Sequence, residues 1–384
     1  MRDIKAGFIP TLNSGVTYWR MYNPVNAATR TGAFGAYLLW WQKGLTDNHP
    51  WQNEIVSNQF HARITGEMSA LARQSDVIVM GLVHTPAGLT LMQGIRECYG
   101  KPVVVETDDN ILSVAGYNPA SKFYDPDSPI RKIAVAQLRE ADAIITTTPH
   151  LKEVYSELND NVHILPNSID FEAWGKAKRK TNKGKITIGW MGGATHNADL
   201  KIIVPAIKEL TAKYPRVEFF FLHGASPEVR AIKGVRISNK FARIDKYPSH
   251  VAGAGFDIGL APLVDNSFNR SKSNLRWLEY SALGIPCVAS RVGHFAETIK
   301  DGEDALLCDS PEDFTKNIER LIVDSDLRKS IGSRAYSRVY ADFNINKTAE
   351  KYGEVLREVV ARGQAMKTTP IFKESNYKME AEVA

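Results

Sequence analysis

At 384 residues the chain exceeds what one compact core serves and suits two domains of ordinary size. Its 43% apolar and 24% charged residues exclude a disordered chain, and the longest dense apolar run, "AFGAYLLWW", is about half of what spans a bilayer. A formal charge of +5 suits an anionic ligand such as a nucleotide, and three widely spaced cysteines (Cys98, Cys287, Cys308) argue against a disulfide framework or zinc site and for a reduced, cytoplasmic setting.

In chain order, "MRDIKAGFIP" lacks the apolar region of a signal peptide and reads as a first strand. "DVIVM", "PVVVE", "AIITTT" and "VHILPN" follow as further strands. Next comes "GKAKRKTNKG", five basic residues in ten between glycines, which reads as a solvated linker. Beyond it lie "KITIGWM", "VEFFFL", "FDIGLAPL" and "PCVAS". These runs are continuously apolar rather than alternating, as in strands covered on both faces of a parallel sheet. Helical patterns separate them. In "LKIIVPAIKELTAKYP", Ile203, Ala206, Ile207 and Leu210 recur at helical spacing while Lys208, Glu209 and Lys213 face out.

Repeated βαβ units on both sides of the linker predict an α/β protein of two doubly wound, Rossmann-like domains facing a cleft. The expected boundaries are 1–172 for the first domain, 173–184 for the linker and 185–345 for the second domain. A C-terminal helix over 346–372, expected to pack back on the first domain, and a polar tail over 373–384 complete the chain.

The turn "GGATHN" after "KITIGWM" is a candidate anion site. Gly192 and Gly193 let backbone approach a ligand closely, and a helix expected to start near Asn197 or Asp199 points its free N–H groups there. A plain glycine turn with a capped helix is the alternative, and His196 alone reads as a polar loop residue.

The ordered set "GG", "LEYSALGIPCVAS", "GHFAE" and "DGEDALL", preceded by "ILPNSIDFEAW" with Pro166 and Asn167, resembles the donor half of retaining GT-B glycosyltransferases of family 4. The resemblance covers residues 140–345 well and 1–140 more weakly. It implies a metal-independent glycosyltransferase that binds a nucleotide-sugar, a UDP-sugar first of all, and transfers the sugar with retention of configuration. Glu279 matches the glutamate that takes the ribose hydroxyls, a role a carboxylate suits because it accepts two hydrogen bonds. The family's sugar-facing glutamate is replaced here by Ser271, with Asn274 as a further sugar contact.

Lys272, then Arg270, would face the diphosphate, whose growing charge fixed cations stabilise without a metal. Glu297 is a candidate for a nucleotide or sugar hydroxyl, and His223-Gly224 with Pro262-Leu263 would shape the base pocket. His84 matches a histidine that meets the donor sugar across the cleft, and Gly15 a flexible loop near the donor. On the acceptor side, Asp108 and Asp109 are adjacent carboxylates that hold a metal or orient an acceptor hydroxyl, the second reading being preferred. Tyr18, Trp19, Arg20 and Tyr22 form either an acceptor platform or core.

The expected acceptor is a glycan or lipid-linked glycan. Modified DNA, bearing a hydroxymethylated base, is the alternative that the basic linker allows. A nucleotide-sugar 2-epimerase and a non-catalytic sugar-nucleotide binder are further alternatives on the same fold.

Overall fold

The computed structural model describes residues 4–10, 15–39, 67–118, 120–181 and 184–368. Trp40, Trp41 and the expected tail 373–384 lie outside the described residues.

Strands β1 (Lys5–Ile9), β2 (Gly35–Leu38), β3 (Val77–Gly81), β4 (Val103–Glu106), β5 (Ala143–Thr146) and β6 (Val162–Ile164) form one parallel sheet. Their order is β2-β1-β3-β4-β5-β6. Strands β7 (Ile186–Met191), β8 (Val217–Leu222), β9 (Arg236–Ser238), β10 (Ile258–Ala261), β11 (Cys287–Ser290) and β12 (Leu306–Cys308) form the second. There the order is β12-β11-β10-β7-β8-β9, again all parallel. Strands β3, β4 and β5 are buried at every position, as their unbroken apolar sequences require. Each sheet therefore carries helices on both faces, and apolar clusters fill the layers between.

The strand orders place the crevices. In the first sheet the chain turns to opposite sides at β1 and β3, in the second at β7 and β10, and ligands bind beyond the carboxyl ends of strands at such switch points. The turn "GGATHN" follows β7, the loop 262–274 follows β10, and His84 follows β3.

Two crossings join the domains. At one, Ile169 donates its N–H to the carbonyl of Phe343, and Ile345 donates back to the carbonyl of Ile169, at 2.8 and 3.0 Å. The last helix, Ile345–Thr368, then returns to the first domain, where Ile345, Ala349, Tyr352, Leu356 and Val359 enter its core. Three short strands, β2, β9 and β12, have no clear counterpart in the periodicity.

Candidate functional site

The two glycines of the "GGATHN" turn do different work. A Cβ on Gly192 would lie 2.7 Å from the Trp190 ring and 3.0 Å from Arg276 Nη2, so this glycine lets indole and guanidinium close under the turn. A Cβ on Gly193 would meet nothing within 4 Å, which leaves the turn open on its outer side. The helix after it is a single short element, Asn197–Lys201. Asp199 is not a cap but a buried tie. Its carboxylate accepts from Val264 N at 2.8 Å, from Asn269 Nδ2 at 2.9 Å and from His196 Nδ1 at 2.8 Å. Burial, with the Arg276 and Lys272 cations nearby, holds the His196 pKa down, so the ring is neutral at physiological pH.

Arg276, on the helix Leu275–Ala282, is the residue that sequence reasoning missed. Its guanidinium sits 5.1 Å from the Trp190 ring centroid, and its Nη1 is buried without a partner among the described residues. Three positions ahead of Glu279, it shares that residue's side of the helix, a spacing visible in "RWLE". Glu279 itself is 5% exposed, and burial pushes its carboxyl up to about 7 despite Arg276 and the Tyr247 hydroxyl.

At the end of β8, His223 adopts φ 74° and lies flat against Phe241 (centroids 4.7 Å, 12°) and His250 (5.4 Å, 15°). Its Nε2 is buried without a partner among the described residues, and its pKa is lowered to about 4 by burial and by His250 and Arg276. Phe241 is 73% exposed, so the stack ends in an open aromatic face.

The loop after β10 makes the contact between domains. Ser271 accepts from Asn110 Nδ2 at 3.0 Å, donates to the Ser267 carbonyl at 3.0 Å, and its own carbonyl accepts from Thr148 Oγ1 at 3.2 Å. Its hydroxyl proton is thus taken within the protein rather than offered to a sugar. Asn274 is fully buried with neither end of its amide partnered among the described residues. Lys272 makes no ion pair among the described residues; its ammonium lies over the Phe268 ring at 4.6 Å and acts on both Asp108 and His196. Arg270 is exposed and held at both ends by Asp265, at 2.6 and 2.8 Å, which cancels most of the charge it would offer a diphosphate. Gly293, at φ 50°, lets the next turn close on the Arg270 backbone, where a Cβ would lie 2.5 Å from the Arg270 carbonyl oxygen. Glu297 is a half-exposed carboxylate paired with His294 at 3.0 Å on its own short helix.

Across the cleft, His84 bonds the Tyr124 hydroxyl through Nε2 at 2.9 Å, and burial lowers its pKa. Asp108 is raised by burial and by Asp109 and Glu106, against Arg20 and Lys272. Asp109 is exposed. Among the described residues no three His, Cys, Asp or Glu side chains group as metal ligands. Gly15 is exposed at the start of the helical segment after β1.

Of the two readings that the sequence left open for the aromatic run that follows, the structure shows core and no open platform. Tyr18 and Trp19 are 5% and 6% exposed and pack with Trp174 of the crossing segment, because apolar rings at a domain junction gain more from burial than from water. Arg20 is buried too, donating to Glu106 at 2.5 Å and to Asn167 Oδ1 at 3.0 Å. Asn167 in turn donates to Ser273 Oγ at 2.8 Å, which carries the chain of bonds into the second domain.

Comparison with known proteins bears on the fold and on one stretch of the sequence. Residues 234–354, from β9 to the last helix, match a family described as glycosyl transferase-like. The chain is 31% identical to N-acetyl-alpha-D-glucosaminyl L-malate synthase of Bacillus anthracis over 85 residues, which is 22% of each chain. It is 24% identical to D-inositol 3-phosphate glycosyltransferase of Corynebacterium jeikeium over 342 residues, 80% of this chain and 79% of that protein. The structure of Anabaena HepE in complex with UDP-glucose superposes with a TM-score of 0.66 at 13% identity, covering 92% of this chain and all of that one. Among the described residues no helix is long and apolar enough to cross a membrane. With two parallel-sheet Rossmann-like domains, the chain has the fold of the GT-B glycosyltransferases, and its stretch 234–354 carries the glycosyl transferase-like family sequence.

Proposed function

We propose that this chain is a family 4-type retaining glycosyltransferase that takes its sugar from a UDP-linked donor, needs no metal, and works in the cytoplasm with its three thiols free. The observation that carries the reading is the group Gly193, Arg276 and Glu279 at the switch point of the second sheet. It combines an open backbone turn, a cation with a buried N–H that has no partner among the described residues, and a buried carboxylate.

On this reading the base lies against His223 and Phe241, Glu279 accepts from the ribose hydroxyls, and the diphosphate spans the Gly193 turn between Arg276 and Lys272. Fixed cations there favour the transition state because charge grows on the leaving oxygen. The acceptor oxygen bonds to the anomeric carbon on the face that the diphosphate leaves. Its proton passes to a diphosphate oxygen as the carbon–oxygen bond to phosphate breaks. Closure of the two domains excludes water from the activated sugar. Binding of UDP-glucose by HepE, a neighbour in fold, supports the choice of uridine.

The test is a thermal-shift panel of UDP, GDP and ADP on wild type and Glu279→Ala. At a hundredfold the dissociation constant a ligand adds about 2.7 kcal/mol. A shift with UDP that is lost in Glu279→Ala is expected; no shift with any nucleotide refutes the reading. Activity unchanged by EDTA, and a product of the donor's anomeric configuration by NMR, test the metal and retention claims.

A further inference from the structure

The acceptor side of the cleft has a second set of aromatic residues, in the loop after β4, that is not buried. Tyr117 is 42% and Phe123 46% exposed, and Tyr124 stands next to Phe123. Tyr117 reaches the second domain, where its hydroxyl accepts from Asn266 Nδ2 and Asn269 Nδ2, both at 3.1 Å. Neither bond uses the hydroxyl proton. Asn269 also holds Asp199 beneath the "GGATHN" turn, so Tyr117 stands at the rim of the donor site. Tyr124 is tied to His84, with the two rings edge to face at 5.3 Å. Asp109, exposed, lies close enough to act on both His84 and Tyr124.

Charge at this rim decides what it takes. The cations Lys122, Arg131 and Lys132 are matched by Asp109, Asp125 and Asp127. Lys132 pairs with Asp127 at 3.6 Å, Arg131 binds the Tyr124 carbonyl, and Lys122 lies over the Phe123 ring at 5.0 Å. A phosphate polymer needs a net surplus of cations, which residues 107–132 lack. Partly exposed rings beside an exposed carboxylate, and a hydroxyl proton with no acceptor among the described residues, suit an uncharged pyranose instead. Its C–H face packs on a ring, and its hydroxyls donate to Asp109 and accept from Tyr117.

We infer that Tyr117, Phe123 and Tyr124, with Asp109, form the acceptor subsite, and that the acceptor is an uncharged saccharide rather than DNA. This rests on the donor reading given above for the second domain.

The test uses the full chain with UDP present. Maltotriose, cellotriose and chitotriose are screened by saturation-transfer NMR, and a short DNA duplex by fluorescence anisotropy at low and moderate salt. At least one trisaccharide is expected to receive saturation, and Phe123→Ala to weaken that binding by about tenfold, the scale of one lost aromatic contact. The UDP thermal shift should be the same in Phe123→Ala as in wild type, which shows that the variant is folded. Three results overturn the inference: no trisaccharide is saturated, Phe123→Ala binds as wild type does, or the duplex binds with a steep salt dependence. Saccharide binding in a wild type that UDP does not stabilise retires the donor reading and leaves the platform standing.

Discussion

The side-chain amide of Asn110 donates to the hydroxyl of Ser271 at 3.0 Å, from the loop after the fourth strand of one domain to the loop after β10 of the other. Both residues are buried, so removing the Ser271 hydroxyl leaves the Asn110 side-chain N–H without water or partner, while removing Asn110 leaves Ser271 only its bond to the Ser267 carbonyl. Ser271→Ala should destabilise the chain by about 1–3 kcal/mol, and the Asn110→Ala/Ser271→Ala cycle should show coupling of about 1 kcal/mol. Urea unfolding of the four proteins measures it. Strict additivity of the two single changes would mean that the bond contributes nothing.

Arg276→Met keeps the length of the side chain and removes its charge. Because one fixed charge at a leaving group is commonly worth about a hundredfold or more in rate, kcat should fall by that factor. The helix it sits on should survive, since Met is as good a helix former as Arg. Initial rates with a fluorescent acceptor, set beside a far-ultraviolet melt, separate loss of chemistry from loss of fold.

Glu279 gives opposite pH signs for folding and for binding. Its carboxyl is raised by burial from 4.5 to about 7, so the folded chain keeps a proton that the unfolded chain has shed. Its effect on stability is nil below the unfolded value, turns unfavourable as pH rises through the window between the two values, and levels off above the higher one. Ribose hydroxyls donate to the ionised form, so UDP affinity should rise about tenfold between roughly pH 6 and pH 8. Calorimetric titration across that range checks it, and Glu279→Gln should flatten the profile.

Arg20→Met should be the most damaging of these changes. It strands Glu106, which is buried and already raised by its burial, and it drops the bond to Asn167. Breaking a buried pair from one side costs about 3–5 kcal/mol. Replacing both members, Arg20→Met with Glu106→Leu, should recover part of that loss. A denaturation midpoint for the double variant below that of Arg20→Met would contradict this account.

The fold was largely legible in the chain. Unbroken apolar runs such as "DVIVM" and "VEFFFL" become buried central strands, because a strand covered on both faces has no polar side to show. The edge strands β2 and β9 were not legible: only partly buried at the sheet margin, "GAYL" and "RIS" lack the unbroken apolar run that marks the central strands. Gly192, Gly193 and Glu279 stood out because their motifs are local, one turn or one helix in extent.

What the sequence by itself determined is therefore the two-domain α/β architecture and the local motifs around Gly192 and Glu279, since both are set by neighbours along the chain. Tertiary structure decided which polar groups still have a free hand. Arg270 is spent on Asp265, and Ser271 on Asn110 and Ser267, whereas Arg276 keeps a buried N–H to offer. It also decided that Tyr18 and Trp19 are core while Tyr117 and Phe123 are surface. The physical reason is the same in each case. Whether a charge is paired or a ring is covered depends on partners brought together from distant parts of the chain, and no local pattern records them.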